Sequence, residues 1–475
     1  MNNVKDSKPN NKKVKKNFAQ INLDSLLLEL DNKITSGHYK ISIYGLGHVG
    51  SPLAATWLRS GACVIGIDKS KKVVDLAKKG KTHIPEPGVS EAFSEGIFNK
   101  RFFVYSDLVK ASRDSLLKMI CVPVLAPDGS ADLMAVKTVT KEIAKGLKKN
   151  DIVSLNPSVP PGTTEDLVVP ILEKYSGLKV EDDFYVVYNP ERIYEGRAIE
   201  DIESNYPGII SGYGKKSLIF GTKLFSRIYQ RGIISMSNIK SAETEKLFEG
   251  VYRDVNIALA NELAIYSENL GIDFWEVRAA ANSQPYCHIH RPGVGVGGAC
   301  IPVYPQFIIN SSKNIGINSK MTKLGRVINN SMPKYCVKQA LKLVRTKKCT
   351  NLIITLLGLA FRGGVTDTRL SPTYEVIKVL NTLKVKEIRV HDPLIENDDL
   401  ITKFANTSFY NNFYKSIEKT DLIMILTDHL EYKTIASDVT DVPIYDGRGI
   451  LDREGHANNN VYSVIGLGKY ENILN

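Results

Sequence analysis

The stretch Lys40-Ile41-Ser42-Ile43-Tyr44-Gly45-Leu46-Gly47-His48-Val49-Gly50 decides the fold. Five residues of β character stop at a glycine, and the segment after Gly50 carries apolar residues at helical spacing. Gly45, Gly47 and Gly50 form G-x-G-x-x-G between strand and helix, the arrangement of a dinucleotide-binding turn. In such a turn the first glycine permits the tight bend, the second lets backbone approach a pyrophosphate, and the third lets helix pack on strand. The helix N-terminus adds N–H groups and a partial positive charge. Asp68 stands 18 residues beyond Gly50, at the end of a second predicted strand, Cys63–Ile67. A carboxylate there accepts from both ribose hydroxyls and repels a 2′-phosphate, so the expected cofactor is NAD, although Lys69, Lys71 and Lys72 soften that repulsion.

Outward from this unit the alternation continues. Strand-like runs fall at residues 115–122 and 151–155, with a helical pattern at 133–147 between them. From Ser241 to Gly271 the pattern becomes one long helix, with Leu247, Val251, Val255, Ala258, Leu259 and Leu263 at spacings of three and four. After Thr350 buried strands are expected again at 352–357, 387–390, 421–426 and 442–445. The predicted class is α/β: two Rossmann-like, doubly wound parallel sheets joined by a long central helix and a helical middle domain. The expected boundaries are a basic tail over 1–37, an NAD-binding domain over 38–235, a central helical domain carrying a cysteine loop over 236–335, and a C-terminal Rossmann-like domain over 336–475.

A chain of 475 residues is too long for one core, and 43% hydrophobic with 24% charged residues is an ordinary globular balance. The longest apolar run, Leu352 to Phe361, is about half of the roughly 20 residues needed to span a bilayer, so no membrane insertion is expected. No apolar segment follows the first lysines, which makes the cytoplasm the expected location. The net charge of +11 draws on residues 2–20, with six lysines against one aspartate; this reads as a solvated arm and not a nucleic-acid-binding element. Six scattered cysteines contain no C-x-x-C pair. Cys287, His288 and His290 are too tightly spaced for a standard zinc module and lack an evident fourth ligand, so no metal is expected.

The segment Gly293-Val294-Gly295-Val296-Gly297-Gly298-Ala299-Cys300-Ile301-Pro302 ends a glycine-rich loop on a cysteine. Such a thiol serves as a covalent nucleophile when nearby cations favour the thiolate, and otherwise as a small buried core residue. The loop joins Ile120-Cys121-Val122-Pro123, Val159-Pro160-Pro161-Gly162-Thr163-Thr164, Asn189-Pro190-Glu191-Arg192-Ile193, residues 252–258 (YRDVNIA), and Gly358-Leu359-Ala360-Phe361-Arg362 with Asp367, Arg369, Ser371 and Pro372. In this order the motifs resemble the UDP-glucose/GDP-mannose dehydrogenase family from about residue 40 to 465, most closely its members acting on UDP-N-acetylglucosamine or UDP-N-acetylmannosamine.

The resemblance implies an NAD-dependent, two-step oxidation of the sugar C6 hydroxyl to a carboxylate, serving polysaccharide or glycan synthesis. It implies Cys300 as nucleophile, Lys246 as the cation beside the oxyanion, Glu191 as the base and Ser158 as a water-holding group. Gly45, Gly47, His48, Val49, Gly50, Asp68, Pro123 and Arg369 would meet the cofactor. Glu195, Arg253, Asn256, Arg291, Gly297, Phe361 and Arg362 would meet the UDP-sugar, and a homodimer or higher oligomer is implied. Taken without the family, Lys246 also fits a surface lysine, Glu191 a helix-capping group, and Arg253 with Asn256 an exposed polar patch.

Two positions depart from the family pattern. Gly250 stands four residues after Lys246, where relatives usually carry asparagine, and Tyr304 stands four after Cys300, where they usually carry aspartate. A phenol is a poor base near neutral pH. A nucleotide-sugar binder without turnover is therefore the competing reading, and UDP-glucose 6-oxidation is the alternative activity.

Overall fold

The computed structural model describes residues 36, 40–127, 129–344, 348–435, 439, 442–451 and 462–468. The basic tail lies outside the described residues. The chain divides into two compact units. One runs through Leu125 and resumes over Ala131–Lys246; the other holds Ala126–Ser130 and everything from Leu247 onward.

The first unit is built on eight strands: β1 (Lys40–Tyr44), β2 (Cys63–Ile67), β3 (Phe102–Tyr105), β4 (Ser115–Ile120), β5 (Ile152–Leu155), β6 (Tyr185–Tyr188), β7 (Gly208–Gly212) and β8 (Ile233–Ser235). Their order is β3-β2-β1-β4-β5-β6-β7-β8. Strands β2, β4, β5, β6 and β7 are buried along their whole length, as apolar strands covered on both faces must be. Because β1 lies between β2 and β4, the turn after it opens at the point where the winding reverses, the usual ligand crevice of such sheets. One pair departs from the expected parallel pattern: β6 and β7 are antiparallel. An antiparallel return needs no long helical crossover. The connection over residues 189–207 instead stays at the C-terminal end of β6 and carries Glu191 and Glu195.

The second unit repeats the plan with β9 (Ile353–Leu357), β10 (Glu387–His391), β11 (Thr407–Phe409), β12 (Leu422–Ile425), β13 (Ile444–Asp446) and β14 (Tyr462–Val464), in the order β11-β10-β9-β12-β13-β14, all parallel. Helix α1 (Gly50–Arg59) follows the first glycine turn. Helix α2 (Ile239–Leu270) has 32 residues, about 48 Å at 1.5 Å per residue. Helix α3 (Tyr304–Asn314) begins four residues past Cys300, and α4 (Lys320–Leu341) packs on α2 through Gly325, where an added Cβ would stand 3.3 Å from Val255. Among the described residues no helix is long and apolar enough to cross a membrane.

Candidate active site

In the first unit two of the three fingerprint glycines are required on steric grounds, and the third stands open. Gly45 has φ +101°, and an added Cβ would stand 3.0 Å from the Cys121 carbonyl oxygen. At Gly50 a Cβ would fall 1.8 Å from the Gly45 oxygen, so only glycine lets α1 close on the turn. Around Gly47 there is nothing within 4 Å, which leaves the surface over the turn open to a ligand. No side chain caps α1, so its N-terminal dipole faces that opening uncovered by a capping group. Asp68 accepts from the Leu46 N–H at 2.9 Å and the Ser70 N–H at 2.8 Å and stays partly exposed. A carboxylate has about four acceptor directions, so capacity remains for a ribose. This cradle fits NAD.

His48, inside the fingerprint, has its Nδ1 3.3 Å from the Glu195 carboxylate, which joins an expected cofactor contact to an expected substrate contact. Val49 is half-buried against the apolar core, and Pro123 is exposed just after β4. Ser158 is half-buried in the loop after β5.

Glu191 is buried and receives the Tyr229 hydroxyl at 3.0 Å. Burial pushes its carboxyl up to about 7, against the opposing pull of that hydrogen bond and the charges of Lys246 and Arg192. Behind it runs a chain of amides: Asn156 donates to the Asn189 side chain at 3.0 Å, and Asn189 donates to Tyr229 at 3.1 Å. Glu243, buried one turn before Lys246, receives the N–H groups of Gly162 at 2.5 Å and Thr164 at 2.9 Å, and so fastens the start of α2 to the Pro-Pro-Gly-Thr-Thr turn. Sequence reasoning missed Tyr229 and Glu243. A tyrosine 38 residues from its partner carries no local signal, whereas an acid three positions from a singled-out lysine on a helix was open to notice.

In the second unit the cysteine loop is pinned along its length. Asn261 accepts from the Gly293 N–H at 2.8 Å and donates to Asn329 at 3.0 Å. Asn329 in turn donates to Asp254 at 2.9 Å, where Arg326 closes the ladder at 2.7 Å. Further along, the Gly298 N–H reaches the Arg369 carbonyl at 2.8 Å. A Cβ on Gly297 would meet the Leu370 carbonyl at 2.7 Å and Phe361 at 2.8 Å, so Phe361 serves at least as the wall behind the loop. Cys300, at the loop's end, is exposed; Cys63, Cys121 and Cys336 are buried, and Cys287 and Cys349 are intermediate.

Asn256 holds the adjoining segment, donating to the His288 carbonyl and accepting from the His290 N–H, both at 2.9 Å. Arg369 grips Asp367 at 2.5 Å, and it borders a cavity of about 930 Å³ that Gly295, Val296 and Arg326 also line. The Arg362 guanidinium lies 5.9 Å from the Phe361 ring, and that of Arg291 lies 5.4 Å from Trp275. Arg253 is exposed on α2. Burial and the charges of Arg253, Arg278 and Arg448 push His290 below the ordinary imidazole value, while Arg291 and Arg278 oppose each other directly. Four guanidinium groups therefore gather around one loop, which suits a diphosphate. Arg278 and Arg448 were missed: Arg278 is held by the Ile289 and His290 carbonyls, and Arg448 arrives from the turn after β13. Among the described residues no three His, Cys, Asp or Glu side chains are placed to hold a metal.

The geometry agrees with the comparisons to known proteins. The three domains of the UDP-glucose/GDP-mannose dehydrogenase family match in order: NAD binding over residues 39–232, central over 240–331 and UDP binding over 355–453. The UDP-N-acetyl-D-mannosamine dehydrogenase of Pyrococcus horikoshii is 32% identical over 420 residues, 87% of this chain and 96% of its own. A Campylobacter jejuni enzyme of the same name is 31% identical over 405 residues, 84% and 97% of the two chains. The solved UDP-D-ManNAc dehydrogenase structure from P. horikoshii superposes with a TM-score of 0.83 at 30% identity, covering 91% of this chain and 100% of its own. The chain belongs to the UDP-glucose/GDP-mannose dehydrogenase family and is an NAD-dependent nucleotide-sugar dehydrogenase.

Proposed function

We propose that this enzyme oxidises the C6 hydroxyl of a UDP-N-acetylhexosamine, UDP-N-acetylmannosamine or UDP-N-acetylglucosamine, to the uronic acid, in the cytoplasm and for polysaccharide or glycan synthesis. The observation that carries the reading is Cys300, an exposed thiol at the end of a loop pinned from three sides. The names of the relatives support an acetamido sugar.

Two molecules of NAD, bound in turn, would each accept one hydride, and the proton of the C6 hydroxyl would pass to solvent in the first oxidation. The Cys300 thiolate adds to the C6 aldehyde, and loss of a second hydride leaves a thioester. Lys246 offers a fixed ammonium to the oxyanion. Glu191 takes a proton from the water that attacks the thioester, aided by Ser158, and the carboxylate leaves as Cys300 is regenerated. A carboxyl near 7 suits this proton transfer, being half ionised at neutral pH and basic enough to accept the proton. The arginines around His290 hold the diphosphate, with Glu195, Asn256, Gly297, Phe361 and Arg362 completing the sugar-nucleotide contacts.

The enzyme works as a homodimer. Phe248, Tyr252, Leu259, Tyr266 and Leu270 form an exposed stripe along α2 at spacings of four and seven, a self-complementary surface for a second copy.

Purified protein is mixed with NAD and, separately, UDP-N-acetylmannosamine, UDP-N-acetylglucosamine, UDP-glucose and GDP-mannose. Two NADH per sugar consumed, lost in Cys300→Ala, is the expected result. Binding of a UDP-sugar without turnover would favour the silent binder.

A further inference from the structure

Gly250 lies buried within α2, and nothing in its backbone demands glycine, since it is absent from the positive-φ residues. What demands it is Tyr304. A Cβ at position 250 would fall 2.5 Å from Cδ2 of the Tyr304 ring, 3.0 Å from its Cβ and 3.1 Å from its Cγ. No side chain fits there unless the ring moves. The ring in turn belongs to the turn that carries Cys300, for the Tyr304 N–H donates to the Cys300 carbonyl at 3.0 Å. Asp254, one helical turn beyond Gly250, anchors the Arg326–Asn329 ladder that leads to the start of the same loop. The two departures from the family pattern are thus one packing unit, a phenol seated in the socket that a missing side chain leaves.

We propose that Tyr304 is a positioning residue for the nucleophile: its ring, seated on Gly250, fixes where the Cys300 thiol stands. This rests on the reading of Cys300 as the nucleophile. The seating is done by the ring, whose Cδ2, Cγ and Cβ fill the space over Gly250.

The test uses the full chain and two readouts. One is kcat and KM with the UDP-sugar that turns over. The other is the rate of iodoacetamide alkylation at the Cys300 peptide as a function of pH, resolved from Cys287 and Cys349 by mass spectrometry. Displacement of the reacting atom by about 1 Å costs on the order of 10²-fold, so Gly250→Asn and Tyr304→Ala should lower kcat by roughly that factor with KM little changed. Both should also shift the Cys300 alkylation profile, and Tyr304→Phe, which keeps the ring in the socket, should shift it less than Tyr304→Ala. Gly250→Asn combined with Tyr304→Ala should lose less than the product of the two single losses, because the added side chain occupies the vacated space. Gly250→Ala, a smaller intrusion, serves if Gly250→Asn does not fold. Folded Gly250→Asn or Gly250→Ala protein with parental kcat and alkylation profile would overturn the proposal. If the parent enzyme turns over no nucleotide sugar, the functional reading fails while the alkylation series still decides this one.

Discussion

Glu191 combines a catalytic proposal with a stability consequence. Its carboxyl is held near 7 in the folded chain, against about 4.5 for a free glutamate, because burial disfavours the charge. Between these values the folded state keeps the proton and the unfolded state does not, so stability falls as pH rises from about 4.5 to 7. Glu191→Gln removes that slope. Thermal melting should show the variant gaining on the parent by on the order of 3 kcal/mol at pH 8 relative to pH 4.5, while Glu243, also pushed up to about 7, keeps its own slope in both proteins. Catalysis should respond in the opposite sense: parental kcat should climb through about pH 7 as the base ionises, and Glu191→Gln should accumulate the enzyme-bound thioester, visible by intact mass. The residues nameable from sequence were those whose partners are local. The spacing of Gly45, Gly47, Gly50 and Asp68 follows from one turn, in which Gly45 and Gly50 meet a steric need and Gly47 leaves open space. Tyr229 and Arg448 reach their places through long-range folding, which no local pattern encodes.

At the scale of elements, the strands predicted from apolar runs match closely where both faces are buried, as at Cys63–Ile67 and Leu422–Ile425. Shorter or more exposed strands escaped: β8 is exposed along most of its three residues, and β11 is no longer. Direction within the sheet was not legible either, since the antiparallel β7 has the same apolar character as its parallel neighbours. Strand β4 hides a further element-scale feature. Lys118 and Asp151 form an ion pair at 2.5 Å with both side chains buried, and burial pushes the lysine down to about 8 and the aspartate up. Desolvation dominates at both ends, so the pair itself contributes little net stability, yet neither partner tolerates loss of the other. Asp151→Ala should destabilise by about 3 to 5 kcal/mol in denaturant titration, whereas Lys118→Met with Asp151→Leu should come close to the parent.

At the scale of the whole molecule, the dimer proposed on α2 is tested by Tyr252→Glu with Leu259→Glu. Light scattering should show the apparent mass halved, with the melting temperature of the smaller species lowered. The six strands of the second sheet repeat the order of the first six strands of the eight-stranded one, and both sheets place a glycine of positive φ after the first strand: Gly45 at +101° and Gly358 at +106°. They also place an aspartate after the second strand, Asp68 in one and Asp392 in the other. The settings differ. Asp392 is buried, accepts the N–H groups of Leu359, Ala360 and Leu394, and faces His429 at 3.1 Å. Its acceptor capacity is spent inside the protein. Two docks of the same design thus stand in one chain, and the second is moored shut from within. Calorimetric titration should therefore find a single molecule of NAD per chain, and opening the second dock would take more than deleting His429, because three backbone amides still hold Asp392.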